Sequence, residues 1–137
     1  MIRPIVRDTM LLNKKAQPAG KEALSTAKDL LDTLIANFKS CAGLAANMIG
    51  VNKRIIAVFA GAVPIVMINP VIVSHSSEKY DAMEGCLSLD GVRPATRYQT
   101  IEVDYADMLM KRHRASYSGF TAQAIQHELD HCNGILI

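Results

Sequence analysis

The residues best suited to chemistry stand together in Gln126-His127-Glu128-Leu129-Asp130-His131. His127 and His131 are four positions apart, and on a helix residues at that spacing share a face. Two imidazole nitrogens on one face can hold one metal ion. Glu128, beside the first of them, can take a proton from a water on that ion. These are the donor pair and the base of a hydrolytic site. Surface helices rich in His and Glu also produce this pattern, so its surroundings decide. Phe120, Ala124, Ile125 and Leu129 give the same stretch an apolar side for packing. Ser118 or Thr121 can cap its start and Asn133-Gly134 can end it. Histidines turned inward by such a helix need partners, and a metal serves both.

A catalytic site of this type usually has three protein ligands and one open position. The best third donor is Cys86, in Glu84-Gly85-Cys86-Leu87-Ser88. A cysteine is most often a small buried hydrophobe, but a glycine-flanked polar turn is a poor place for one. A metal would stabilise its thiolate, and the backbone N–H groups after it would point into the same space. Another stretch, Cys41-Ala42-Gly43-Leu44-Ala45-Ala46-Asn47-Met48-Ile49-Gly50, is made of small residues. Small side chains let a strand or a ligand approach the backbone closely. The run reads equally as a packed turn and as part of a site.

The elements that must position these groups are those of an α+β domain. With 137 residues and no linker or repeat, the chain is expected to form one domain over residues 1–137. Pro4, Pro18 and Gly20 break up the first twenty residues, which read as an arm over the domain without chemistry of its own. Over residues 21–39, Leu24, Ala27, Leu31, Leu34, Ile35 and Phe38 recur at helical spacing and predict an amphipathic helix. Strands are expected over 54–59 and 63–73, with Asn69-Pro70 confining the second to a sheet edge or a bulge. A polar loop with a solvent-facing His75 follows, then a strand over 99–105 and a hairpin return over 108–117. Small antiparallel or mixed β-sheets packed around a C-terminal metal-binding helix, with an N-terminal amphipathic helix, make up the predicted fold.

Composition excludes several classes of function. A net charge of +2 and a pI near 8.5 are too mild for nucleic-acid binding, and Lys111-Arg112-His113-Arg114 reads as a solvated turn. No apolar run reaches the roughly 18 residues of a membrane span. Met1-Ile2-Arg3-Pro4 lacks the apolar region of a signal peptide, so the expected location is cytoplasmic. Three cysteines, an odd number, suggest reduced thiols, which suits a thiolate ligand.

With Gly43-Leu44-Ala45-Ala46, Glu84-Gly85-Cys86-Leu87-Ser88 and Gln126-His127-Glu128-Leu129-Asp130-His131 in this order, the sequence resembles the peptide deformylases. The second and third motifs of that family, EGCLS and HExDH, match in full. The resemblance extends to the N-terminal helix and the Asn69-Pro70 strand. It implies hydrolysis of the formyl group from N-formylmethionine at the start of new polypeptides. It also implies one divalent metal held by Cys86, His127 and His131, with ferrous iron expected and zinc, nickel or cobalt able to replace it. Glu128 would be the general base and acid, and the Leu87 N–H would donate to the oxyanion. Substrate contacts would fall on Gly43, Gly85, Ala124, and Arg93 or Arg97. The implied partners are N-formylmethionyl peptides at the ribosome exit, met by a monomer that binds neither nucleic acid nor membrane.

Departures from the family pattern concern the oxyanion and the substrate. The first motif of the family reads GxGxAAxQ, and here Cys41 replaces its first Gly and Met48 its Gln. That Gln helps bind the oxyanion in the family, whereas Met cannot donate a hydrogen bond. Loss of one such donor costs on the order of 10² to 10³ in rate. Asn47 carries an amide one position earlier and is the candidate replacement. Gln123 beside Ala124 suggests a more polar methionine pocket, Asp90 stands where Pro is usual, and Ile137 is followed by no C-terminal helix. Two other readings are weak or altered amide hydrolysis at the same metal, and a non-catalytic binder of nascent chains. Glu128 weighs against the second, since a purely structural metal site needs no base.

Overall fold

Alternating apolar residues and the turns between them give seven strands, and a computed structural model describes residues 1–137. Five strands form one antiparallel sheet: β1 (Gly43–Ala45), β2 (Ile55–Ala60), β3 (Val63–His75), β6 (Thr100–Ala106) and β7 (Arg112–Ser118), in the order β1-β2-β3-β6-β7. The other two, β4 (Lys79–Cys86) and β5 (Leu89–Tyr98), pair only with each other. A short helix α1 (Thr9–Leu12), the longer α2 (Leu24–Ala36) and α3 (Gly119–Cys132) complete the chain. Ile55, Ile56, Ala57 and Val58 of β2 are fully buried, because α2 and α3 both pack on that strand. No helix is long and apolar enough to cross a membrane.

The helix expected over 21–39 is a single 3₁₀ turn (Lys21–Ala23) followed by α2. Of the expected stripe, Ala27 and Leu34 are buried and Leu24 and Leu31 pack partly buried against the core, and Leu30 and Thr33 join them inside. Ile35 and Phe38 are exposed. Phe38 lies beyond the helix end at Asn37, where helical spacing no longer predicts direction. Thr33 is tolerated inside because its hydroxyl donates to the Asp29 carbonyl at 2.7 Å.

Asn69-Pro70 does not place β3 on an edge, since β3 lies between β2 and β6. The other expectation holds: a bulge falls between Ile68 and Val71, with Asn69 at φ +52°. The Asn69 side chain also pins the N-terminal arm, accepting from the Ala19 N–H and donating to its carbonyl, both at 2.8 Å. The arm is further held by Val6 N–H to Met48 O at 2.7 Å and Ala16 N–H to Cys132 O at 2.8 Å. Leu12 of α1 is completely buried.

Two more expectations need correction. The basic run is no turn, because Arg112, His113 and Arg114 belong to edge strand β7, where Arg114 pairs with Asp104 across to β6. The turn precedes it. Asp107 accepts from the Leu109 and Lys111 N–H groups at 2.9 Å, and Met110 takes φ +61°. His75, expected in a loop, is the last residue of β3; it is exposed, and its ring stacks on Tyr98 at 3.7 Å between centroids.

Candidate active site

The sequence of α3 turns one side toward the sheet. Ala122, Ala124, Ile125, Leu129 and Cys132 are buried, and so are Gln126, His127, Glu128 and His131. Phe120 is exposed instead of packing in the core. Ser118 occupies the N-cap without a side-chain hydrogen bond, and Asn133 with Gly134 at φ +75° ends the helix.

Cys86 arrives from the end of β4, one step before a Leu87-Ser88 turn into β5, not from within a loop. Its Sγ lies 3.3 Å from His131 Nε2. Ligand atoms of Cys86, His127 and His131 all lie within 4.8 Å of one another. His127 Nδ1–H donates to Glu84 Oε1 at 2.8 Å, which leaves its Nε2 lone pair free for a metal.

Behind these ligands is a charged bridge whose role the sequence does not signal. Arg97 Nε and Nη2 donate to the two Glu84 oxygens at 3.0 and 2.6 Å, and Nη1 donates to Asp130 Oδ2 at 2.6 Å. Arg97 and Glu84 are both buried. One guanidinium therefore joins β4, β5 and α3 and fixes the carboxylate that orients His127. Gln126 adds a second tie: the Tyr98 N–H donates to its Oε1 at 2.8 Å, and its Nε2 donates to the Tyr98 carbonyl at 3.0 Å.

Burial sets the protonation of the site. It pushes the Cys86 thiol up to about 11 and, helped by the nearby His127 and Arg97, brings His131 down to about 4. His131 is thus the neutral imidazole that a metal requires. Burial opposes the charged form of Glu84, but hydrogen bonds from Arg97 and His127 outweigh it and hold this carboxyl below its usual range. Glu128 is the reverse case. It is 4 % exposed, and burial together with the Glu84 charge raises its carboxyl well above the ordinary range.

Glu128 Oε1 and His131 Nδ1 are buried without hydrogen-bond partners. A thiol and two imidazoles around one point fit a divalent cation, and this soft and borderline donor set admits several.

A cavity of about 580 Å³ opens onto these groups. Of the residues expected there, Gly43, Gly85, Cys86, Leu87, Ala124, His127 and Glu128 line it. His131 is fully buried beside Cys86. Gly43 is tightly packed. A Cβ on it would come within 3.0 Å of Glu128 Cγ, Glu128 Oε2 and Val58 Cγ1.

Asn47 does not take the place of the missing Gln. Its Nδ2 donates to the His131 carbonyl at 2.9 Å, which occupies its amide in holding the last turn of α3, and it does not line the cavity. Met48 does line it, with its sulfur 3.4 Å from the Ala45 nitrogen. Arg93 is also outside, on β5, with its guanidinium donating to the Asp90 carbonyl at 3.3 Å. Arg97, the other arginine considered, is the buried bridge just described. Gln123 borders the cavity with its Oε1 accepting from Tyr80 OH at 2.9 Å, so its polarity is partly spent on the scaffold. Sequence reasoning gave the arm no chemistry, yet Arg7 lines the cavity too, and no local pattern signalled it. Cys41 borders the cavity, while Cys132 is buried packing.

Comparison with known proteins is consistent throughout. A family model described as polypeptide deformylase matches residues 2–137. A peptide deformylase of Clostridium beijerinckii is 49% identical over 137 residues, covering 100% of both chains. One of Dictyoglomus thermophilum is 37% identical, covering 100% of this chain and 91% of its own. Among solved structures, the Met-Ala-Ser-bound class I type b peptide deformylase of Acinetobacter baumannii superposes with a TM-score of 0.89 at 28% identity, covering 99% of this chain and 97% of that one. The Thermotoga maritima enzyme gives 0.87 at 30% identity, covering 99% and 94%.

Proposed function

The chain belongs to the polypeptide deformylase family, and we propose that Cys86, His127, His131, Glu128 and Leu87 carry its reaction, the metal-dependent removal of the N-formyl group from N-formylmethionyl polypeptides. The observation that supports this assignment best is the convergence of three ligand atoms within 4.8 Å, beside a buried carboxylate oxygen with no partner.

Cys86, His127 and His131 would hold the metal, and the resemblance favours ferrous iron among the cations this donor set admits. When bound, the metal supplies Lewis acidity toward the formyl oxygen and makes a nearby water acidic enough to react near neutral pH. The residues do the rest. Glu128 takes a proton from the attacking water, whose oxygen forms the new bond to the formyl carbon. It then delivers that proton to the departing nitrogen as the C–N bond breaks, giving formate and a free amine. Burial keeps this carboxyl basic enough to accept a proton, and packing against Gly43 fixes its position. Glu84, held by Arg97, keeps His127 in one tautomer and orientation. The Leu87 N–H would donate to the developing oxyanion, and Met48 adds no second donor.

Gly43, Gly85 and Ala124 leave room for the formyl-methionyl group along the cavity wall. Met-Ala-Ser, the peptide in the Acinetobacter baumannii structure, is what remains of a formylated tripeptide after this reaction. The natural substrates would be nascent chains at the ribosome exit in the cytoplasm, met by a monomer made of one domain over residues 1–137.

The test is hydrolysis of formyl-Met-Ala-Ser by protein purified anaerobically with ferrous iron, alongside Glu128→Ala. Turnover should fall by at least about 10²-fold in the variant while one metal per chain is retained. Unchanged turnover in Glu128→Ala would remove that residue from the mechanism.

A further inference from the structure

We propose that Arg7 is a positioning residue for this reaction: from the N-terminal arm it fixes the Leu87-Ser88 turn and so the oxyanion donor that the turn carries. This rests on the assignment of the Leu87 N–H as that donor. Arg7 Nη1 donates to the Leu87 carbonyl at 3.1 Å, and Nη2 pairs with the Asp90 carboxylate. One guanidinium therefore holds the turn after β4 to the start of β5. The preceding residue, Val6, donates its N–H to the Met48 carbonyl at 2.7 Å. Two adjacent residues of the arm thus tie together Met48 and Leu87, which both line the cavity.

Arg7 is the only lysine or arginine lining that cavity. Its pair with Asp90 contributes little to folding, because the two side chains are 56% and 94% exposed and solvent screens them. Where two donors share an oxyanion, a small error in one is tolerated. Here Met48 supplies none, so the reaction depends on how well one backbone N–H is aimed, and a preorganised donor loses value quickly when its support loosens. Within the turn, the Ser88 N–H is directed at Cys86 Sγ at 3.4 Å, and the buried Ser88 hydroxyl has no partner. Arg7 provides the support from outside.

The experiment measures kcat and KM for formyl-Met-Ala-Ser with iron-loaded Arg7→Ala and Arg7→Lys, each with Met48 native and in the Met48→Gln background. With Met48 native, Arg7→Ala should lower kcat roughly tenfold, less than the ~10²-fold of a 1 Å misplacement, with KM within about twofold. Arg7→Lys, which keeps one donor for the Leu87 carbonyl, should recover most of the loss. In the Met48→Gln background the Arg7→Ala loss should shrink to about threefold or less, because the side-chain amide shares the oxyanion and the two effects are not additive. A raised KM with intact kcat would overturn the proposal in favour of a substrate contact. An equal loss in both backgrounds, accompanied by lower metal content, would overturn it in favour of a structural role. If Met48→Gln raises kcat and Arg7→Ala changes nothing, only the role of Arg7 fails. If Met48→Gln leaves kcat unchanged in otherwise native protein, the oxyanion assignment itself fails.

Discussion

Gly43→Ala is the smallest change that separates the base from the metal. The added Cβ would meet Glu128 Cγ, Glu128 Oε2 and Val58 Cγ1, each at 3.0 Å. Such contacts are tighter than ordinary van der Waals contact, so a neighbour must give by a few tenths of an ångström. Val58 is fixed on β2, where it is fully buried and paired in register with Gly43. Glu128 is held only by its helix and its packing, since Oε1 has no hydrogen-bond partner. The carboxylate is therefore the group that moves. Overpacking of this kind destabilises by about 1–3 kcal/mol, and misplacing a reacting group by about 1 Å costs about 10²-fold. A shift of a few tenths of an ångström should lower kcat by roughly four- to tenfold. Cys86, His127 and His131 are not touched, so metal content should stay at one per chain. The assay is formyl-Met-Ala-Ser turnover at saturating substrate, with metal analysis and a melting curve on the same preparation. Native kcat in folded Gly43→Ala would refute the claim that this backbone position sets the base. Loss of metal in parallel with rate would show that the perturbation had spread beyond Glu128.

Arg97→Leu should destabilise the protein by about 3–5 kcal/mol by leaving Glu84 buried without its partner, a loss that urea denaturation measures directly. Metal affinity should rise about tenfold per pH unit between pH 6 and 8, because the Cys86 thiol near 11 must lose its proton to bind. Competition with a chelator across that range checks it, and a flat profile would mean that the thiol is not a ligand. In metal-free protein, His131 titrates near 4 in the fold against about 6.5 when unfolded, so its depressed value favours the folded state above pH 6.5. That contribution, about 3 kcal/mol, should disappear as pH falls from 6.5 through 4, seen as a loss of stability that His131→Gln reduces.

The metal ligands and the base were legible because their chemistry is local. Two histidines four apart next to a glutamate say where they point as soon as the stretch is helical, and Cys86 stood out by its glycine-flanked surroundings. The supports were not legible. Arg97 looks like any strand arginine until β5 is laid against α3, and it was weighed only as a substrate contact. Asn47 had the right amide, but which way it pointed depended on the last turn of α3, 84 residues later. The β4–β5 hairpin escaped notice because burial alternates along β4 but hydropathy does not: apolar Met83 faces out and Glu84 faces in. In α2 the periodicity was correct, but Ile35 is as apolar as Leu30 and only the sheet decides that Leu30 is covered and Ile35 left exposed. Asn69-Pro70 showed the same limit: the bulge follows from proline chemistry, but the position of β3 in the sheet does not.

The three ligands also differ in when they are made. Cys86 precedes His131 by 45 residues, and protein chains emerge with their N-terminal part first. The β4–β5 hairpin is complete at Tyr98, before either histidine has been added. During that interval the thiol lacks the helix that will cover it. Burial raises the Cys86 thiol to about 11 in the folded protein, and oxidation follows thiolate character and exposure, so the protection of this thiol is completed only by the last helix made.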